Sequence, residues 1–308
     1  MRSSKATERV TFYERISANK WRSLLLLFVF SLLIILIGFL FGSVYGSPIG
    51  GMGVAFIIAI IYSLIGFYAG DRMILATSHA KPVTKKDDPF LINTVEGLAI
   101  AAGIPTPQAY IIEETSINAF ATGRDPKHAS ITVTSGARKR LSRTELEGVL
   151  AHEMSHIGNY DIRFMMLVTI LVGVVALMSD AMLRSFFYGG HRGGNGERRG
   201  SGNAILLLLA IVLAILAPII AQLIRLAVSR QREFLADATG AKLTRYPPGL
   251  AAALKKIRVD HDKVVDTANK ATAHLYIENP LRNVSGRMNA LFATHPPIDE
   301  RIRRLEGM

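Results

Sequence analysis

The sequence predicts an α-rich membrane protein with about four transmembrane helices and an α+β domain that contains a small β-sheet. Three observations support this fold class. Half of the 308 residues are hydrophobic, and the mean hydropathy of +0.29 is high for a soluble protein. The apolar residues lie in a few long runs. The rest of the chain has helix caps and short strand-like segments separated by turn residues.

The first pair of apolar runs, 23–41 and 50–70, carries no charge and predicts two spanning helices. A bilayer core of about 30 Å needs roughly 20 apolar residues as a helix. The link 42–48 has no Lys or Arg, whereas six basic residues precede the first run: Arg2, Lys5, Arg9, Arg15, Lys20 and Arg22. The positive-inside rule therefore predicts a cytoplasmic N-terminus and a cytoplasmic position for the segment after the second helix.

A second pair of apolar runs covers 164–179 and 204–224. The later run contains Pro218, which membrane helices tolerate. The Gly-rich link 188–203 is basic, although the helix count places it outside the cell. Either this hairpin spans the membrane against the charge rule, or it dips in without crossing. We favour spanning, because the later run is long enough.

The segments between these hairpins predict a domain in two parts. We divide the chain into 1–75 (N-terminal segment and first hairpin), 76–162 (first part of the domain), 163–228 (second hairpin) and 229–308 (second part). A helix is predicted from Asp88 to Gly103, and strands at 109–112, 117–121 and 130–134. A capping box of Ser142 and Glu145 opens a further helix. Later helices are predicted after the proline pairs 247–248 and 296–297.

Composition limits the possible chemistry and partners. The chain has no cysteine, so disulfides, thiolate metal ligands and a cysteine nucleophile are excluded. The net charge of +12 is compatible with nucleic acid or with an anionic membrane. Because the basic residues cluster beside the apolar runs, we expect the lipid bilayer as the partner and no nucleic acid.

The helix opened by the capping box carries the pattern H-E-x-x-H at His152, Glu153 and His156. Histidines at positions i and i+4 lie on one helical face, where both can bind one Zn²⁺ ion. Glu153 can act as the general base towards zinc-bound water. A third ligand is needed, and the best candidate is Glu233, with Asp237 one turn later. One of these carboxylates can bind the metal while the other accepts the N–H group of a ligand histidine.

Several motifs in one order resemble the HtpX-type membrane metalloproteases, and more distantly the CAAX-prenyl-protein endopeptidases. They are the two apolar hairpins, Asn118-Ala-Phe-Ala-Thr-Gly, the H-E-x-x-H pattern, Ser229-Arg-x-Arg-Glu-x-x-Ala-Asp, and Thr294-His-Pro-Pro followed by Arg301. The resemblance covers nearly the whole chain.

This resemblance implies a gluzincin domain with one zinc ion per chain, bound by His152, His156 and Glu233. It implies that Glu153 is the general base and that Asp237 orients a ligand histidine. Two further catalytic residues, His295 and Arg301, would stabilise the oxyanion. An edge strand would receive an extended polypeptide substrate through Asn118, Ala119, Phe120 and Ala121.

The resemblance also implies a biological role. The protein would be a multi-pass protein of the cell membrane, with its protease domain on the cytoplasmic side. It would cut misfolded or damaged membrane proteins in a stress response. The alternatives are a narrow-specificity processing protease, a non-catalytic metal-binding scaffold and a transporter. An intact Glu153 disfavours the scaffold, and the uncharged first hairpin disfavours the transporter. The oligomeric state does not follow from the sequence.

Overall fold

A computed structural model describes residues 12–44, 46–173, 230–260, 268, 272–278 and 296–308. The α-helices are α1 (Phe12–Val44), α2 (Pro48–Thr77), α3 (Pro89–Ala102), α4 (Ser135–Arg140), α5 (Arg143–Gly158), α6 (161–173), α7 (Arg230–Thr244), α8 (Pro247–Arg258) and α9 (Ile298–Glu306). The strands are β1 (Lys81–Pro82), β2 (Gln108–Ile112), β3 (Ala119–Gly123) and β4 (Ala129–Thr134). Short 3₁₀ helices cover Pro126–His128 and Ala273–Leu275.

Helices α1 and α2 form the first predicted hairpin, and both are long and apolar enough to cross a membrane. Large apolar side chains such as Leu25, Phe28 and Ile57 are exposed along them, as on a lipid-facing surface. The two helices pack very closely near their link. A Cβ atom added at Gly38 would lie 2.2 Å from the Cβ of Ala55, and one at Gly51 would lie 2.2 Å from the Gly38 carbonyl oxygen. Small residues therefore allow this contact, as in membrane helix pairs.

Of the second predicted hairpin, the structure describes only 164–173, which are part of α6. Most of these residues are buried, and α6 packs against the face of α2 that carries Gly66 and Gly70. Residues 174–224, with the Gly-rich link 188–203, lie outside the described residues. Two candidate spans are therefore found in the described part of the chain, and four spans remain a prediction.

The predicted small sheet is confirmed, with strand order β1-β2-β4-β3. Strands β2 and β4 are parallel, and the other neighbouring pairs are antiparallel. Strand β1 was not predicted from the sequence, because Lys81 and Pro82 have no strand pattern of their own. Strand β3 begins at Ala119, two residues later than predicted, and lies at an edge of the sheet.

The predicted helix caps are confirmed. The Asp88 side chain accepts a hydrogen bond from the Leu91 N–H group, and Gly103 ends α3 in the left-handed conformation with φ of 66°. At the start of α5, Ser142 accepts from the Glu145 N–H group while the Glu145 carboxylate accepts from the Ser142 N–H group.

Helix α5 is buried along most of its length between α7, α8 and the sheet. The site residues of α5 are thus set in the core of the domain.

Candidate active site and metal centre

Three residues that were predicted as metal ligands converge in the buried core. His152 and His156 lie one turn apart on α5, and their Nε2 atoms are 3.3 Å from each other. Glu233 reaches them from α7. Its Oε2 atom is 3.6 Å from the Nε2 atom of His152, and its Oε1 atom is 3.5 Å from that of His156. The ligand atoms of all three lie within 4.8 Å of one another, so this group could hold a metal ion.

A glycine on α7 permits this approach. A Cβ atom added at Gly240 would lie 3.0 Å from the backbone nitrogen of His152 and 3.2 Å from the carbonyl carbon of Ala151. Both are backbone atoms, which cannot rotate away as a side chain can. Gly240 lies seven residues after Glu233, about two turns along the same helix. Its missing side chain therefore lets α7 lie close enough to α5 for the Glu233 carboxylate to reach the histidines.

The outer nitrogen of His152 is held by Asp237, as predicted for one of the two α7 carboxylates. The Oδ1 atom of Asp237 is 3.0 Å from the Nδ1 atom of His152. Asp237 also accepts hydrogen bonds from Arg301 on α9, at 2.9 Å from Nε and 2.7 Å from Nη2. Asp237 therefore lies on the Nδ1 side of the His152 ring, and Glu233 lies on its Nε2 side.

Arg301 is almost fully buried in this site. Its Nη1 atom is 3.9 Å from Glu233 Oε2, and its Nη2 atom is 3.4 Å from both nitrogens of the His152 ring. Burial by itself lowers the pKa of Arg301, but the charge and hydrogen bonds of Asp237 and the charges of Glu233 and Glu153 together raise it. Arg301 therefore keeps its positive charge beside the cluster. His295, the other residue predicted for the oxyanion, lies outside the described residues.

A second carboxylate, Asp161, holds the other histidine, and the sequence reasoning missed it. The Oδ2 atom of Asp161 is 3.1 Å from the Nδ1 atom of His156. Asp161 is the first residue of α6, after a turn in which Tyr160 has a positive φ of 60°. A signal existed: an acidic residue stands at the head of an apolar run, where a charge is costly unless it is paired.

The protein groups alone make the site strongly attractive for positive charge. Burial and the charge of Arg301 lower the pKa of His152, yet hydrogen bonds to Asp237 and Glu233 raise it overall to about 9. Burial also lowers the pKa of His156, but the hydrogen bond to Asp161 and the charges of Glu233 and Asp161 together raise it. Burial raises the pKa of Asp237, whereas Arg301 and His152 bring it down to about 2. The Asp237 carboxylate thus stays ionised beside the imidazole of His152.

Glu153, the predicted general base, follows His152 on α5 and is buried. It lies three residues before His156, so its side chain projects near the same face of the helix. Its charge is one of those that raise the pKa of Arg301. Glu153 thus stands next to His152 in the chain, in the buried part of α5 that also carries His156.

The predicted substrate-binding strand is an edge strand, and a segment of the chain itself lies along its first residues. The Ile277 N–H group donates to the carbonyl oxygen of Ala119 at 3.0 Å. The side-chain amide of Asn118 donates to the carbonyl oxygen of Glu278 at 3.0 Å, and the Tyr276 ring packs edge-on against Phe120. All residues of β3 are buried. The edge at Asn118 and Ala119 is therefore already paired with the segment 276–278.

Comparison with known proteins identifies the family. The model of peptidase family M48 matches residues 85–308. Proteins named "Protease HtpX homolog" are similar over nearly their full length. That of Dictyoglomus thermophilum is 46% identical over 298 residues, covering 97% of this chain and 95% of the relative. That of Thermoanaerobacter pseudethanolicus is 43% identical over 300 residues, covering 97% and 99%. That of Listeria monocytogenes is 41% identical over 304 residues, covering 96% and 99%.

Among solved structures, S. mikatae Ste24p aligns with a TM-score of 0.49 and 19% identity. The alignment covers 95% of this chain but 66% of that protein, so the chain spans just under two thirds of its length. The family model and the HtpX relatives carry the assignment. They confirm the resemblance and the enzyme class that the motifs predicted. The chain therefore belongs to peptidase family M48 and is a membrane-associated metalloendopeptidase, similar to the HtpX proteases.

Proposed function

We propose that this metalloendopeptidase uses one zinc ion, bound by His152, His156 and Glu233, to cut misfolded or damaged membrane proteins at the cytoplasmic membrane face. The observation that carries the proposal is the convergence of these three side chains beside Glu153. A buried His₂Glu set is the donor set of catalytic zinc sites with an open fourth position.

The spacing of the three donors supports zinc in particular. Two ligand atoms that each lie about 2.0–2.2 Å from a tetrahedral zinc ion are about 3.3–3.6 Å apart. The three closest donor distances here are 3.3, 3.5 and 3.6 Å. Asp237 and Asp161 occupy the Nδ1 sides of His152 and His156, so both Nε2 lone pairs face the shared position. The residues therefore fit the ion without rearrangement.

The reaction is hydrolysis of a peptide bond. When held by His152, His156 and Glu233, a zinc ion would supply Lewis-acid chemistry: it would lower the pKa of a water molecule towards 7 and polarise the scissile carbonyl. Glu153 takes a proton from the attacking water and returns it to the leaving amine. Arg301 keeps a positive charge beside the site, and this charge stabilises the developing oxyanion. We assign the same role to His295 from the resemblance. Asp237 fixes the ring of His152 in the orientation that the metal needs.

A polypeptide substrate pairs with the edge of β3, from Asn118 through Ala119 and Phe120 to Ala121. Main-chain pairing gives affinity with little sequence preference, which suits a protease for many misfolded clients. Ala119 is already hydrogen-bonded to Ile277, and Asn118 to Glu278. A substrate that pairs with Asn118 and Ala119 therefore replaces these internal hydrogen bonds. An extended, unfolded segment can do so, whereas a folded domain cannot offer a free strand.

The charge pattern and one structural contact support the cytoplasmic side. Asn19, near the start of α1, bonds to Asp161 beside His156, so the site lies at the same end of α1 as the basic residues Lys20 and Arg22. The positive-inside rule assigns this end to the cytoplasm.

Because the chain has no cysteine, Ser47→Cys and Lys85→Cys can each be labelled by an impermeant thiol reagent. We expect Ser47→Cys to react in intact cells and Lys85→Cys only after lysis; the reverse pattern would refute this orientation.

The catalytic proposal is tested with wild type and Glu153→Gln, expressed under chelation and purified in detergent. We expect one zinc ion per chain in both proteins and cleavage of casein by wild type alone. Failure of wild type to bind zinc after reconstitution would refute the zinc site. Full proteolysis by Glu153→Gln, with contaminating proteases excluded, would refute the role of Glu153.

The substrate class is tested in vesicles that hold the enzyme and a second membrane protein. The second protein is supplied in its native form and as a destabilised variant with the same cytoplasmic segments. We expect faster cleavage of the destabilised variant. Equal cleavage of both forms at a single position would instead favour the narrow-specificity processing protease.

A further inference from the structure

A polar residue of α1 is buried where that helix meets the protease domain. Asn19 is 4% exposed, although it lies within the apolar stretch Ile16–Leu40. Polar side chains at such positions face protein partners, because an unpaired amide in an apolar environment is costly. The partners of Asn19 lie far away in the chain, in the turn that follows the H-E-x-x-H helix.

The side-chain amide of Asn19 uses both of its N–H groups on this turn. Its Nδ2 atom donates to the carbonyl oxygen of Asn159 at 2.9 Å and to Oδ1 of Asp161 at 2.7 Å. The neighbouring residue Lys20 lies over the Tyr160 ring, 4.4 Å from its centre. Two adjacent residues of α1 thus contact all three residues of the turn 159–161.

Asp161 passes this contact on to the site. Its Oδ1 atom faces Asn19, and its Oδ2 atom accepts from the Nδ1 atom of His156 at 3.1 Å. The Arg232 guanidinium also lies near this carboxylate, but its Nη1 atom is 3.8 Å from Oδ1, beyond hydrogen-bond distance. Among the described residues, the Asn19 amide thus donates to one oxygen of Asp161 while the other oxygen faces His156.

We propose that Asn19 is a positioning residue for His156, acting through the Asp161 carboxylate, so that the first apolar helix takes part in building the metal site. The inference rests on the proposed zinc site. A partner that holds a ligand histidine contributes to metal affinity by fixing the ring and its tautomer. Asn19 fixes that partner, and it does so from the helix that anchors the protein in the membrane. Metal affinity therefore depends on the docking of α1.

The test exploits the different donors of Asn and Asp. Asn19→Asp removes both N–H groups and sets a carboxylate against Asp161, so zinc binding should weaken about tenfold or more, as for loss of other groups that support ligands. Asp161→Asn should weaken it similarly. The double variant restores a matched pair, because the amide now at position 161 can donate to the new carboxylate at position 19 and still accept from His156. We expect the double variant to bind zinc more tightly than either single variant, because coupled effects are not additive.

Zinc affinity is measured by chelator competition on full-length protein in detergent, with the unfolding temperature recorded for every variant. Asn19→Ala, which removes the donors without adding charge, is measured beside Asn19→Asp in case the latter does not fold. Ser23→Ala is the matched control. It removes a buried hydrogen bond one turn later on α1, from the Ser23 hydroxyl to the Asn19 carbonyl, without touching Asp161. Its zinc affinity should equal that of wild type.

Two results would overturn the inference. One is unchanged zinc affinity in both Asn19→Asp and Asn19→Ala while wild type binds zinc, which leaves the proposed function intact. The other is additive losses in the double variant, because independent effects mean that Asn19 and Asp161 are not coupled. A wild-type protein without zinc affinity would contradict the proposed function itself, and the inference with it.

Discussion

Asp237 lies between His152 and Arg301, and its Oδ1 atom is 3.0 Å from the Nδ1 atom of the histidine and 2.7 Å from the Nη2 atom of the arginine. One carboxylate oxygen thus joins a candidate metal ligand on α5 to the positive charge on α9. The second oxygen, Oδ2, accepts from the Nε atom of Arg301 at 2.9 Å. Through this contact the last helix of the chain is tied to the site.

Asp237→Asn should weaken zinc binding about 10- to 100-fold, the range for loss of a carboxylate that supports a ligand histidine. The amide carries no charge to hold Arg301, and its NH₂ group cannot accept the hydrogen bonds that the carboxylate accepts from its partners. Chelator competition measures the effect. Asp299→Asn on α9, which removes an exposed partner of Arg258, is the control and should bind zinc as wild type does. Wild-type affinity in Asp237→Asn would contradict the assigned role.

Asn118→Asp should lower kcat/KM mainly through KM, with zinc affinity unchanged. The aspartate lacks the amide donor that now bonds to the carbonyl oxygen of Glu278 and that we assign to the substrate backbone. An unpaired buried carbonyl costs about 1–3 kcal/mol, which corresponds to a loss of about 5- to 150-fold. Steady-state cleavage of an unfolded substrate gives the value. The exposed residue Asn93 on α3 supplies the control, Asn93→Asp. An unaltered KM would argue against pairing at Asn118.

Gly240→Ala should reduce both stability and zinc affinity, because its Cβ atom would lie 3.0 Å from the backbone nitrogen of His152. Overpacking of this kind costs about 1–3 kcal/mol and here would move α7, with Glu233, away from α5. Thermal unfolding and chelator competition measure the two effects. Gly97→Ala on α3 has open space around its Cβ and should be neutral or stabilising. If Gly240→Ala binds zinc normally, the close approach is not needed for the site.

Glu145→Gln should destabilise the protein at neutral pH, and the difference from wild type should shrink as the pH falls. Burial raises the pKa of Glu145, but hydrogen bonds from Lys256 and from the Ser142 backbone lower it overall. A carboxyl whose folded pKa is lowered adds stability above its ordinary pKa of 4.5 and loses it as pH falls through the folded value. Unfolding temperatures between pH 7 and pH 3 test this. Glu96→Gln removes an exposed ion pair with Lys85 and should differ little from wild type in unfolding temperature at any pH. If Glu96→Gln shows the same pH dependence as Glu145→Gln, a special role for Glu145 is ruled out.

Much of the local structure could be predicted from the sequence, because it depends on residues that are close in the chain. The spacing of His152 and His156 predicts one helical face, and the structure brings their Nε2 atoms to 3.3 Å. The caps formed by Asp88 and by Ser142 with Glu145 were predicted from residues three apart. Unbroken apolar runs predicted the first hairpin, since length and hydropathy are properties of the segment itself.

The sequence by itself determined the chemistry available at this site: two histidines on one face, an adjacent glutamate, and a pair of carboxylates on a later helix. Only the tertiary structure decided which carboxylate faces which side of His152, that Asp161 holds His156, and that Asn19 of α1 holds Asp161. It also decided that segment 276–278 covers the start of β3. These contacts join residues up to 160 positions apart. No periodicity or cap encodes such pairs, because they follow from how the helices pack against one another and from which buried polar groups then lie within hydrogen-bond distance.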